Sequence, residues 1–232
     1  MTRQQIRSRI YPSIVTFKGD WRQMIKDATR LKLTAVSLFL TAAEYRERQE
    51  IYAALVKSTI KRIPHVHARN DMKEAELDLF VRHYKTKAFT IHYRYLKYFK
   101  NSKYLKKIFI ENNNGKDRIY KLEPIKKTGG MCIDLSHLAE FKRHKPKEYA
   151  IAVKGVEEYR FKVGCNHVSA MHKDGNTWHY AKNVKEFDYL KDIPRRYFSQ
   201  RIALEVGNPI PEQLKFCDYV TIVLTKQWNK KS

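Results

Sequence analysis

Residues 107–137 read KIFIENNNGKDRIYKLEPIKKTGGMCIDLSH, and their reading decides the fold. Two short runs of apolar, β-branched and aromatic residues, Lys107–Asn112 and Met131–Leu135, bracket a polar segment that carries Ile119, Leu122 and Ile125 and closes on Gly129 and Gly130. Each run has a strand's length and composition. Each also ends on a carboxylate, Glu111 or Asp134, with His137 three residues beyond the second.

The same unit recurs in both directions. Upstream, Arg9–Phe17 (RIYPSIVTF) precedes a helix that Asp20 can cap, with Trp21, Met24, Ile25, Ala28 and Leu31 at helical spacing. Thr34–Leu40 precedes a helix opening at Thr41 or Ala42, with Tyr45, Tyr52, Leu55, Val56 and Ile60 on one face. Ile63–Ala68 precedes a helix through Leu77, Phe80, Val81 and Tyr84, and Lys87–His92 precedes a basic, tyrosine-rich helical stretch to about Lys106. Downstream, a helix over Glu148–Tyr159 leads to Phe161–Val168, a mostly helical Val184–Tyr197 leads to Ile202–Val206, and a last helix aligns Leu214, Cys217, Val220, Leu224 and Trp228. The β-branched YVTIVL of that last segment also suits a strand.

Eight β-runs in 232 residues leave about 29 residues per unit, the length a βα unit needs. Eight units are the count that closes a parallel barrel. An open doubly wound sheet would carry a glycine-rich phosphate loop after its first strand, where this chain reads TFKGDW with one glycine. The expected fold is α/β, a single (β/α)8 TIM barrel in one domain over residues 1–232, since no linker or composition break divides the chain.

A hydrophobic content of 43% with 12% aromatics excludes a disordered tail. No apolar run reaches the length of a transmembrane helix and the N-terminus has no signal-peptide core, so a cytoplasmic location and no membrane partner are expected. Cys132, Cys165 and Cys217 are odd in number and lie in apolar runs, reading as buried residues and not as a disulfide frame. The formal charge of +23 points to a polyanionic partner, nucleic acid first, or else to a uniformly solvated lysine surface.

In a β/α barrel, catalytic groups come from the C-terminal ends of the strands. The third run ends in His65 and His67, the fourth in His92, the fifth in Glu111, the sixth in Asp134, the seventh in His167 and the eighth in Glu205. Singly, each is an ordinary solvated or core residue. Together at one mouth they would oppose like charges, a cost that a bound divalent metal removes, and mixed N and O donors suit Zn²⁺ or Mn²⁺.

FIENN around Glu111, CIDLSH with Asp134 and His137, CNHVSA with His167 and ALEVGNPIPEQLK with Glu205 resemble the xylose-isomerase-like TIM barrel superfamily, which includes endonuclease IV and the sugar isomerases and epimerases. The resemblance runs in order along the whole chain. It implies a shared metal site of Glu111, Asp134, His167 and Glu205, with His137 ligating a further metal or contacting substrate. It also implies one of two chemistries. In the nuclease type, His67 and His92 add ligands, His179 with His172 or Asp174 stands where a third metal is held, and a metal-bound hydroxide attacks phosphorus. In the isomerase type, one metal holds neighbouring oxygens while Glu111 and Glu205 transfer a proton.

Basic residues lie near several strand ends: Arg69 after the third, Arg94 and Lys97 among the tyrosines of 93–107 after the fourth, and Lys173 and Arg195–Arg196 near the seventh and eighth. They suit phosphates, with tyrosines stacking on bases, although Tyr95, Tyr98 and Phe99 also fit the buried face of a helix. The leading expectation is an endonuclease of the endonuclease IV type, holding one to three divalent metals and acting on damaged or abasic DNA. The alternatives are a single-metal sugar or sugar-phosphate isomerase or epimerase, and a barrel that binds nucleic acid without catalysis.

Overall fold

The first β-run is bent by its own proline, and that break closes the barrel. In the computed structural model, which describes residues 1–229, Pro12 separates β1 (Ile10–Tyr11) from β2 (Ser13–Val15). Strand β1 pairs with the last barrel strand, β11 (Ile202–Leu204), and β2 pairs with β3 (Ser37–Phe39). The remaining strands are β4 (His65–His67), β5 (Ala88–Ile91), β6 (Ile108–Glu111), β7 (Gly130–Asp134) and β8 (Val163–Val168), in the order β1-β11-β8-β7-β6-β5-β4-β3-β2. All these pairings are parallel. The nine segments therefore occupy the eight strand positions expected, the first position being shared. The backbone at the break would be stranded without hydrogen bonds. Buried Gln213 supplies them: its Oε1 accepts from Ser13 N at 2.7 Å and its Nε2 donates to Ser13 O at 2.9 Å.

Phe109 plugs the barrel floor in a cluster with Ala88, Cys132 and Cys165. Glycine is required beside it, because a Cβ on Gly164 would meet the Phe109 ring at 2.0 Å. All three cysteines are buried and free, as their apolar settings imply.

Helix α2 (Trp21–Arg30) is capped by Asp20, which accepts from Arg22 N at 2.9 Å, and it buries Trp21, Met24, Ile25 and Ala28. Helices α3 (Tyr45–Val56), α4 (Glu74–His83), α7 (Pro146–Glu157) and α8 (Ile210–Trp228) also pack around the barrel. YVTIVL is helical: Thr221 and Thr225 satisfy their hydroxyls on the carbonyls of Cys217 and Thr221, and Val220 and Leu224 face the core.

Two segments depart from expectation. Residues 93–107 are not one helix but two short 3₁₀ turns around the four-residue helix α5 (Leu96–Phe99). Of its aromatics only Phe99 is buried, while Tyr98 is exposed, so no continuous buried face forms. Residues 184–197 are mostly helical, as expected, in 3₁₀ form over Val184–Asp192 and Arg195–Tyr197. An unforeseen helix, α6 (Leu135–His144), starts directly from the end of β7, because Asp134 is both the last strand residue and the N-cap, accepting from His137 N at 2.8 Å. A hairpin, β9 (Ala170–Met171) with β10 (Thr177–Trp178), extends the connection after β8. Among the described residues, no helix is long and apolar enough to cross a membrane.

Candidate active site

Strands that end at one level of a parallel barrel deliver their last inward side chains to one place. Glu111, the last residue of β6, is the centre. Its Oε2 lies 3.0 Å from His67 Nε2 and 3.4 Å from His92 Nε2, and its Oε1 lies 3.2 Å from His167 Nδ1. His167 Nδ1 is also 3.4 Å from Glu205 Oε2. At the mouth, potential ligand atoms fall into two groups, His67–His92–Glu111 and Glu111–Asp134–His167–Glu205, within each of which all atoms lie within 4.8 Å of one another. Glu111 belongs to both.

The cluster is deeply buried: His67, Glu111, Asp134, His167 and Glu205 are each less than a tenth exposed. Burial opposes charge on every member, so their titration shows how they depend on one another. Burial would raise Glu111, but His167, His67 and His92 hold it well below the usual carboxylate range. Glu205 is likewise held down, to about 2, by His167 and His179 against the effect of burial. The two carboxylates in turn keep His167 protonated well above the ordinary imidazole value, although burial opposes this. Asp134 goes the other way: burial raises it, and Glu205 and Glu111 add to the rise.

Asp134 spends one oxygen on the N-cap and on Ser136 Oγ, while its Oδ2, like Glu205 Oε2, is buried without a hydrogen-bond partner. Three carboxylates, an imidazole and two orphaned oxygens facing one space are what a cation would satisfy. The buried His/Glu/Asp groups could hold a metal ion.

Other expected residues lie around this centre. His137 is 3.6 Å from Asp134 Oδ2 by its Nε2 and stacks on Phe141, outside both groups. His179 is also outside them: its Nδ1 lies 3.2 Å from Ser169 Oγ and 3.1 Å from the Glu205 carbonyl oxygen, with its ring edge-on to Phe17. His172 stacks on Trp178 at 4.7 Å, and Asp174 accepts from Asn176 in the hairpin turn. Arg69 is engaged by Asp71 and Glu44, and Arg94 by Asp117 and the Tyr95 ring. Lys97 is exposed over Tyr98. Lys173 lines a groove of about 910 Å³ beside the mouth with Arg143, His172, Lys182 and Tyr189.

Sequence reasoning missed Asp117 and took His65 only as a strand-end residue. Asp117 sits 3.2 Å from His92 Nδ1. His65, one layer below the mouth, meets His167 Nε2 at 3.2 Å and groups with Cys132 and Cys165. His65 was visible as a histidine two residues before His67, on the same face of its strand.

Fold and site together define a parallel β/α barrel with a buried carboxylate–imidazole cluster at its C-terminal mouth. No protein-family model matches the chain, and no curated protein is similar to it. Among solved structures it is similar to an uncharacterized protein from Parabacteroides distasonis ATCC 8503, at 16% identity and a TM-score of 0.45 over 94% of this chain and 99% of that one. It is also similar to the probable 3-DHS dehydratase AsbF of Bacillus anthracis, involved in petrobactin synthesis, at 11% identity and a TM-score of 0.42 over 95% of this chain and 100% of that one. Likenesses this distant leave the functional argument to the site.

Proposed function

We infer that the protein is a divalent-metal-dependent enzyme that isomerises or epimerises a small sugar or sugar phosphate. The observation that carries this reading is the depth of the cluster: its acids and imidazoles lie almost wholly below the surface, under a rim whose Arg69 and Arg94 are already engaged by Asp71, Glu44 and Asp117. Reaching so buried a cluster needs a far smaller opening for a small polyhydroxylated molecule than for a duplex backbone. Glu111, Asp134, His167 and Glu205 would hold one ion, Zn²⁺ or Mn²⁺ by their mixed N and O donors. When bound, the ion supplies Lewis-acid polarisation of neighbouring hydroxyl and carbonyl oxygens. The chain's own part is acid–base work. The Glu205 and Glu111 carboxylates would take a proton from one carbon and return it to the next. His137, beside the orphaned Asp134 Oδ2, would orient a hydroxyl, and Lys173 in its groove would meet a substrate's phosphate.

One observation favours the second reading, a phosphodiesterase acting on abasic or damaged DNA: His67 and His92 form their own ligand group on the shared Glu111, the layout of a two-metal site. Elemental analysis of the purified protein, combined with two assays, separates the readings. One metal per chain and solvent deuterium entering an aldose or ketose next to its carbonyl, lost in Glu111→Gln, support the isomerase. Two or more metals with chelator-sensitive incision of an abasic duplex overturn it.

A further inference from the structure

The basic charge is concentrated on the face opposite the candidate active site. All barrel strands are parallel, so the connections that enter them lie together at the N-terminal end. These connections, residues 8–9, 31–36, 57–64, 84–87, 100–107, 123–129, 158–162 and 193–201, hold 18 Lys and Arg against two acids, Glu123 and Glu158. The connections that leave the strands, residues 16–20, 40–44, 68–73, 92–95, 112–122, 169–183 and 205–209, hold nine against six. Of the 18, all but Arg9, Lys107 and Arg201 are exposed. Only Lys103, with Asp78, and Arg196, with Glu157, make a salt bridge among the described residues.

The fold also brings these like charges together across connections. Arg9 and Arg195, from two different connections, share the Trp228 ring, at 5.9 and 5.3 Å. The helix dipole accounts for one cation at each helix C-terminus. It does not account for pairs such as Lys61–Arg62 or Lys85–Lys87, which run on to the start of the next strand. Nor does it account for Lys32, Lys85 and Arg160 standing at φ 53°, 58° and 55°, a left-handed backbone just beyond a helix end where glycine is favoured.

We propose that this N-terminal face binds the phosphate backbone of double-stranded nucleic acid without reading its bases. A single-strand platform needs exposed stacking rings, and the exposed aromatics Tyr45, Tyr98, Tyr120, Trp178 and Tyr180 all lie toward the opposite end. An anionic membrane is disfavoured by the same inventory, since among the described residues the one large exposed apolar residue on this face is Val56, and peripheral membrane binding draws on apolar insertion as well as charge. What the face offers is many unpaired cations with room for a polyanion, the composition of sequence-independent phosphate binding. The proposal is independent of the isomerase reading, because no residue of the active site takes part in it.

The test is fluorescence anisotropy with a labelled duplex of random sequence, titrated at a series of salt concentrations. The wild-type protein is expected to bind, with affinity falling about 100-fold or more between roughly 50 and 200 mM salt. Replacing Lys61, Arg62, Lys85, Lys87, Lys106 and Lys107 by Gln is expected to weaken binding at least 100-fold at low salt and to flatten the salt dependence. Replacing six mouth cations, Lys73, Lys116, Arg118, Lys121, Lys173 and Lys182, by Gln should cost less than a tenth of that loss while removing the same charge. If the first variant does not fold by circular dichroism, Lys126, Lys127, Arg160 and Lys162 to Gln replace it, with at least a 10-fold loss expected. Absence of duplex binding, equal losses from the two faces, or binding to phosphatidylserine vesicles in preference to duplex would overturn the proposal.

Discussion

Nε2 of His167 faces Nε2 of His65 across 3.2 Å. Two imidazole nitrogens can share one hydrogen bond only if one of them carries the proton. On its other side His167 meets Glu111 and Glu205, which hold it protonated, while burial lowers His65 and keeps it neutral. His167 therefore donates and His65 accepts, with Thr90 Oγ1 also 2.9 Å from the accepting nitrogen. His65 thus aims the ring whose Nδ1 joins the four-residue group. His65→Leu would leave a buried N–H of His167 without an acceptor. Loss of such a supporting contact lowers metal affinity about 10–100-fold, and chelator competition measures it. Unchanged affinity in a folded variant would show that His65 is only filler.

The same site predicts how the metal-free protein responds to pH. Glu205 titrates at about 2 in the fold against an ordinary 4.5, so the folded state binds fewer protons between those values. Its stabilising contribution is complete above about pH 4.5 and disappears as pH falls toward 2. His167 has the opposite sign. Its folded value lies above the ordinary 6.5, so its contribution is complete below that pH and is lost as pH rises through the raised value. The Tm of the metal-free protein should therefore drop at both extremes. A metal must displace the His167 proton, so binding should release protons and tighten with rising pH. Titration calorimetry in two buffers of different ionisation enthalpy measures this, and net proton uptake would contradict it.

How far the sequence foretold this arrangement depends on distance along the chain. The β-runs were legible because buried strands are short and rich in Val, Ile and Phe. The strand-end acids and histidines were legible because a barrel collects them by rule. Helix α6 escaped because Asp134 serves strand and helix at once, leaving no loop to mark the boundary. His65 escaped as a contact of His167 because the two lie 102 residues apart, and nothing local says that the layer beneath the mouth is polar. The charge escaped in a different way. Its amount was plain, but its side of the barrel follows only once every strand is known to be parallel.

Arg48 is fully buried in α3 and belongs to a network that holds the mouth in place. Its Nε and Nη2 donate to the two Glu76 oxygens at 2.8 and 3.1 Å, and its Nη1 reaches Asp71 Oδ1 and Ala43 O at 3.0 Å. The Tyr52 hydroxyl donates to the same Glu76 carboxylate at 2.7 Å. Arg48→Met would strand Glu76 as a buried charge, and breaking such a pair costs about 3–5 kcal/mol. Urea denaturation should show that loss. Because much of it is the penalty on the abandoned carboxylate, adding Glu76→Leu to Arg48→Met should recover part of it. A double variant no more stable than the single would assign the loss to packing.

Gln213 performs the corresponding task at the seam of the barrel. Pro12 diverts the chain from one neighbouring strand to the other, and Ser13 is left with an N–H and a carbonyl that no strand reaches. The Gln213 amide takes both, and its Nε2 also donates to Asn208 O at 2.8 Å, tying α8 to the loop that follows Glu205. Gln213→Leu keeps the bulk but leaves Ser13 N, Ser13 O and Asn208 O without this partner, and at about 1–3 kcal/mol for each buried unpaired group a loss of at least about 3 kcal/mol is expected. Gln213→Glu keeps the acceptor for Ser13 N and places a carboxylate against the Ser13 and Asn208 carbonyls, so it should be no better. The damage should be local before it is global. Hydrogen exchange at Ile14 and Ile202, on the two sides of the seam, should accelerate ahead of exchange at Phe109 on the far side of the barrel. Uniform acceleration across all strands would mean that Gln213 supports the core in general and not the closure.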